Sequence, residues 1–167
     1  MKNQLNPRNL RELLKPIDMT DFQKYIQRYL DLIPSQNWTE EMKISGTKTL
    51  EIYDSLTPEQ AEYAYAEGKW TIKEIVQHCI DCERIFSFRA LHIAREDQQI
   101  LSFFDENLYV ETSQANDRQP EELIQELISL MKVTYYQFTA FHDNVLYKKG
   151  HIEQHEISVE EIGYIIA

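Results

Sequence analysis

The sequence has 167 residues, with 28 acidic side chains against 17 basic ones and a formal net charge of −11. That length fits one ordinary domain with a sizeable core, and a hydrophobic content of 43% excludes a disordered acidic tail. A field of this sign repels phosphate backbones and anionic bilayers. No apolar run approaches the roughly 20 residues of a membrane span, and two cysteines cannot staple a chain of this size. The expectation is a protein of the reducing cytoplasm, with neither nucleic acid nor membrane as partner.

Only 4 glycines and 5 prolines interrupt the chain, which favours long helices. Residues 1–19 are polar, broken by Pro7 and Pro16, and read as an N-terminal helical arm preceding a domain over 20–167. Thr20 caps a helix from Asp21 to Ile33 that places Phe22, Ile26, Tyr29 and Leu30 on one side, and Pro34 ends it. A second helix fits 38–56, although Gly46 weakens it. Thr57-Pro58-Glu59-Gln60 is a capping box with proline at the first helical position, so a short turn of helix follows.

Thr71, with Glu74 three residues on, is a second capping box and opens a long amphipathic helix to about Glu96. Residues 97–117 read as an irregular connection, in which 103–110 places acids between aromatics as ordinary loop packing or as a lid. Pro120 opens another helix with a stripe from Leu123 to Phe141. Residues 150–157 read as a loop, and Ser158 with Glu161 caps a last helix. Several helices without a convincing strand predict an all-α bundle.

On the long helix, Ile72, Ile75, Val76, Cys79, Ile80, Phe86, Ala90, Ile93 and Ala94 gather on one face at ~100° per residue. His78, Cys82, Ile85 and Arg89 form a neighbouring stripe that borders the core. His78 reads either as a metal ligand or general base, or as a flank histidine satisfied by one hydrogen bond. Glu83 falls near the middle of the apolar face, where an unpaired carboxylate is penalised. It therefore needs a cation or a set of donors, and either clamps a neighbouring segment or orients a histidine.

Cys79 and Cys82 have CxxC spacing but no second pair, so Cys79 reads as a small core residue. His151 and His155 are four apart, yet lie in the presumptive loop and read as an exposed pair without metal. His92 points away from the core stripe, and His142 sits at a helix C-terminus.

The run from Gly68 through His78 to Arg89, with Phe104–Val110 and Ser158–Ala167, resembles the DinB-like (YfiT-like) superfamily of metal-dependent enzymes. The likeness extends in order from about Asp18 onward. It implies a four-helix bundle holding a divalent metal, nickel or zinc, through one histidine on the second bundle helix and a pair on the last helix. His78 matches the first ligand. The family's other ligands follow the stretch that here ends at Ala167, and His151 and His155 lie too early to be that pair.

The resemblance thus implies a last helix cut short, an incomplete metal site, and a gene that continues as helix with further histidines. The expected activity is that of a hydrolase or a thiol-dependent S-transferase acting on a small molecule, with a low-molecular-weight thiol as cosubstrate for the latter. His78 is the expected ligand, with Glu83 and Arg89 as supports and Asp105 or Glu106 near the pocket mouth. A second copy of the chain is the expected protein partner. The competing reading is a non-catalytic helical interaction or dimerisation module.

Overall fold

A computed structural model describes residues 20–33 and 37–167. The proposed arm over 1–19 and the stop at Pro34 lie outside the described residues. Eight helices and one hairpin follow in order: α1 (Asp21–Leu32), α2 (Trp38–Asp54), α3 (Pro58–Ala61), α4 (Ile72–Ala94), α5 (Glu106–Thr112), α6 (Pro120–Thr139), α7 (Asp143–Leu146), β1 (Lys149–Ile152), β2 (His155–Ser158) and α8 (Val159–Ile166).

The capping boxes set where the helices begin. The hydroxyls of Thr57, Thr71 and Ser158 each accept from the backbone N–H three residues on, and Gln60, Glu74 and Glu161 accept in return from the cap backbone. Thr20 does the same with Gln23 at the start of α1.

The four bundle helices are α2, α4, α6 and α8. Helix α4 packs against α6 and α8, and α2 packs against α6 and α8, so the four close in a ring, with α1 laid on α8. One core cluster joins Trp38, Met42, Ala90, Ile93, Phe138 and Ile162 at the α8 end of the ring. A second joins Tyr53, Val76, Ile80, Leu123, Ile124 and Leu127 among α2, α4 and α6.

The contact between α8 and α2 depends on a missing side chain. A Cβ on Gly163 would stand 2.6 Å from the Trp38 ring, a ring already held edge-on against Phe138 at 5.2 Å. Gly46 inside α2 has a milder version of the same reason, since its Cβ would meet the Met131 methyl at 3.0 Å.

The structure departs from the sequence reading at three places. Residues 97–117 contain α5 and a 3-10 turn over Ala115–Asp117 rather than only irregular chain. Asp105 causes this: its carboxylate accepts from the N–H groups of Asn107 and Leu108 as an N-cap. Residues 149–158 form an antiparallel hairpin rather than a loop, pairing His151 with Glu156 and Ile152 with His155. Burial of Ile152 and Ile157 against the core outweighs the polar composition of the segment. His142 stands at the start of α7 as its N-cap residue, not at a helix end.

Because the Trp38 indole is rigid and buried, Gly163→Ala overpacks the α2–α8 contact. The expected cost is about 1–3 kcal/mol, read as a lowered urea midpoint with an unchanged slope. A midpoint equal to wild type would show that the two helices separate freely.

Candidate functional site

Two cavities lie along the inner side of α4. The first, about 300 Å³, lies between α1, α4, the 103–106 segment and the hairpin. The second, about 270 Å³, lies between α2, α4 and α6. Tyr29, His78, Cys82, Phe86 and Ile165 line both.

The polar stripe of α4 supplies that shared wall. Successive turns bring His78, Cys82, Phe86 and Arg89 to the cavity, so Phe86 takes the place expected of Ile85. The Cys82 Sγ lies 3.4 Å from His78 Nε2 and 3.8 Å from Nδ1. Burial first, then the neighbouring Cys79, Asp81 and Glu106, push the Cys82 thiol up to about 12. It therefore keeps its proton, and a hydrogen bond joins it to the imidazole. The His78 ring is seated against Trp70, with centroids 4.9 Å apart. Trp70 ends the loop before the capping box, and sequence reasoning passed over it.

Arg89 is 4% exposed. One guanidinium nitrogen donates to the Ser102 carbonyl at 2.6 Å, and the group lies between the rings of Phe86 and Phe104, at 5.3 and 5.7 Å. Glu106 lines the same cavity at its exposed edge, whereas Asp105 serves as the α5 cap and does not reach the cavity. Tyr25 and Tyr29 face the cavity from α1, their hydroxyls 3.1 Å apart. Tyr29 belongs to the apolar stripe of α1 in the sequence, where nothing separates a core tyrosine from a cavity one, and Tyr25 lies outside that stripe.

Glu83 is buried as expected, but its partner differs. It accepts a hydrogen bond from the Thr134 hydroxyl on α6, and no cation or backbone donor of residues 97–117 meets it among the described residues. Burial raises its carboxyl above the ordinary 4.5, and the Thr134 bond offsets this in part. Cys79 is exposed on the wall of the second cavity rather than packed in a core.

His92, expected to point outward, is buried and holds the segment after α4 through Gln99 O at 3.0 Å and Asp97 at 3.5 Å. The His151/His155 spacing spans the hairpin and not a helical face. His151 is exposed, but His155 is half-buried, stacked on Phe22 at 4.4 Å. No group of three His, Cys, Asp or Glu side chains able to hold a metal occurs among the described residues.

In the folded chain Glu83 binds its proton to a higher pH than in the unfolded chain. Stability therefore falls as pH rises through 4.5 toward the raised folded value. Glu83→Gln keeps an acceptor for Thr134 without the buried charge, so the metal-free variant should melt above wild type at pH 7, with the gap closing toward pH 4.5. Equal melting temperatures at pH 7 would show that the carboxylate is solvated or paired.

No curated protein matches the chain in sequence. Among solved structures it is similar to YfiT from Bacillus subtilis, described as a probable metal-dependent hydrolase with an unusual four-helix bundle topology. The TM-score is 0.63 at 17% identity, covering 91% of this chain and 83% of that one. That likeness shows a shared bundle fold. A sequence model of the DinB superfamily matches residues 41–167, from the second helix through all of α4, α6 and α8. The match takes in both the capped helix that carries His78 and the short last helix beside it. The chain belongs to the DinB superfamily.

Proposed function

We propose that this chain is a metal-dependent enzyme, a hydrolase or thiol-dependent S-transferase acting on a small molecule, with His78 as a ligand of a divalent ion such as nickel or zinc. One observation supports this above the others: His78 Nε2 and Cys82 Sγ stand 3.4 Å apart on a cavity wall. Two donors on one tetrahedral zinc ion are separated by roughly 3.5 Å, given bonds of about 2.0 Å to nitrogen and 2.3 Å to sulfur. The pair fits one side of such a shell. The remaining positions fall to groups outside the described residues, to water or to substrate.

A bound ion here supplies Lewis acidity to a water or a thiol. The side chains of this chain set the rest. Trp70 seats the imidazole, His78 and Cys82 would hold the ion, Cys82 as its thiolate, and the phenylalanines of the cavity exclude bulk water from the reacting group. Glu83 touches Thr134 rather than His78, so it holds α4 against α6. The printed description of YfiT as a probable metal-dependent hydrolase accords with this reading.

A second reading, a helical module that pairs with another copy of the chain, is favoured by the exposed Ile75 and Phe88 of α4 and Val133 and Tyr136 of α6.

Cobalt titration of the metal-free protein separates the two. Enzyme chemistry at this site predicts a sulfur-to-cobalt absorption band that Cys82→Ser removes, that Cys79→Ser leaves, and that is lost with all cobalt binding in His78→Ala. No spectral change at any pH, together with a concentration-dependent dimer in sedimentation, would favour the module instead.

A further inference from the structure

Arg89 poses a problem that the metal reading does not use. Its guanidinium is nearly sealed from water, it carries a charge at every ordinary pH, and it makes no ion pair among the described residues. The Ser102 carbonyl satisfies one of its five N–H donors and offers no opposite charge. A clamp on the segment after α4 does not account for it either, since that segment is already tied down without it. His92 holds Gln99 O, Leu101 N donates to His151 O, and Glu153 N donates to Leu101 O.

A buried cation is retained when something of opposite charge reaches it. The 300 Å³ cavity beside Arg89 is where that partner can sit. That volume is at the low end for small-molecule pockets. Its far wall carries a second polar feature. In the Tyr25–Tyr29 pair one hydroxyl donates to the other, which leaves the acceptor's own proton unused. Tyr25 and Arg89 line the same cavity. A guanidinium and a spare hydroxyl proton thus converge on one space, and Phe86, Phe104, Ile152 and Ile157 supply its apolar walls. Glu106 stands exposed at the edge and is not paired with Arg89.

We propose that Arg89 binds the carboxylate of the substrate, with the Tyr25–Tyr29 pair as an added donor, and that the substrates of this chain are small carboxylic acids with an apolar body. The proposal rests on the reading of this cavity as a substrate site and not on the metal. The carboxylate is held about two to three turns of α4 beyond Cys82 and His78, so the group that reacts lies at the opposite end of the molecule from its acid. With a net charge of −11 the protein repels anions at a distance. Capture is therefore a matter of this local site, and it discriminates an acid from its neutral isostere because a neutral ligand leaves the guanidinium uncompensated.

The test uses the metal-free full chain with 3-phenylpropanoate and its amide as probes, measured by calorimetry and by NMR shift titration. The acid is expected to bind at least about tenfold more tightly than the amide. Arg89→Gln should erase that preference by weakening the acid alone, and Arg89→Lys should restore part of it. Acid binding is measured on the metal-free protein, so failure of the metal reading does not carry this proposal with it. Equal affinity for acid and amide, no binding of either, or unaltered acid binding in a folded Arg89→Gln protein would overturn it. If Arg89→Gln fails to fold, the wild-type comparison of acid with amide decides.

Discussion

The packing of α4 against α6 and α8 supports the rest of the molecule. A bundle helix buries its inner face where its neighbours lie across it. Beside α8, α4 contributes Ala90, Ile93 and Ala94 to a close-packed core. Nearer its N-terminus the same helix packs Val76 and Ile80 against α2 and α6 and lines a cavity with His78, Cys82 and Cys79. The change from core to cavity occurs within a single uninterrupted helix, without a kink or a change of period.

That arrangement lets a stable scaffold hold polar groups in unfavourable positions. Helices α4, α6 and α8 each begin at a proline or a side-chain cap, and the second core cluster joins α2, α4 and α6 without α8. Polar ties also run along the outside. Glu126 of α6 bridges Arg84 of α4 and Arg118, the latter at 2.6 Å, and the buried Lys73 donates to Asn116 O at 2.6 Å. Glu83 and Arg89 can then remain in low-dielectric surroundings at a local cost, because the helix that carries them is held elsewhere.

Much of the architecture was legible in the chain because its cues are local. Thr20, Thr57, Thr71 and Ser158 each announce a helix start through hydrogen bonds spanning three residues, and the apolar spacing of α4 and α6 needs no partner to be read. The segment 97–117 was harder, since the Asp105 cap opens a helix of only seven residues and so short a stretch has little periodicity. The hairpin escaped because its polar residues alternate with only a few apolar ones. Its stability comes from burial against the core rather than from strand propensity.

The sequence by itself determined which helices form, the class of the fold, and the ordering of His78, Cys82 and Arg89 along one stripe, because helix geometry converts spacing directly into direction. It also determined that Glu83 is buried. Tertiary structure alone decided what those side chains meet: Thr134 for Glu83, Trp70 for His78, the Phe86 and Phe104 rings for Arg89, and open space for Cys79. Contacts between residues far apart in sequence depend on how helices are laid against one another, and a periodicity carries the direction of a side chain but not the identity of what lies opposite it.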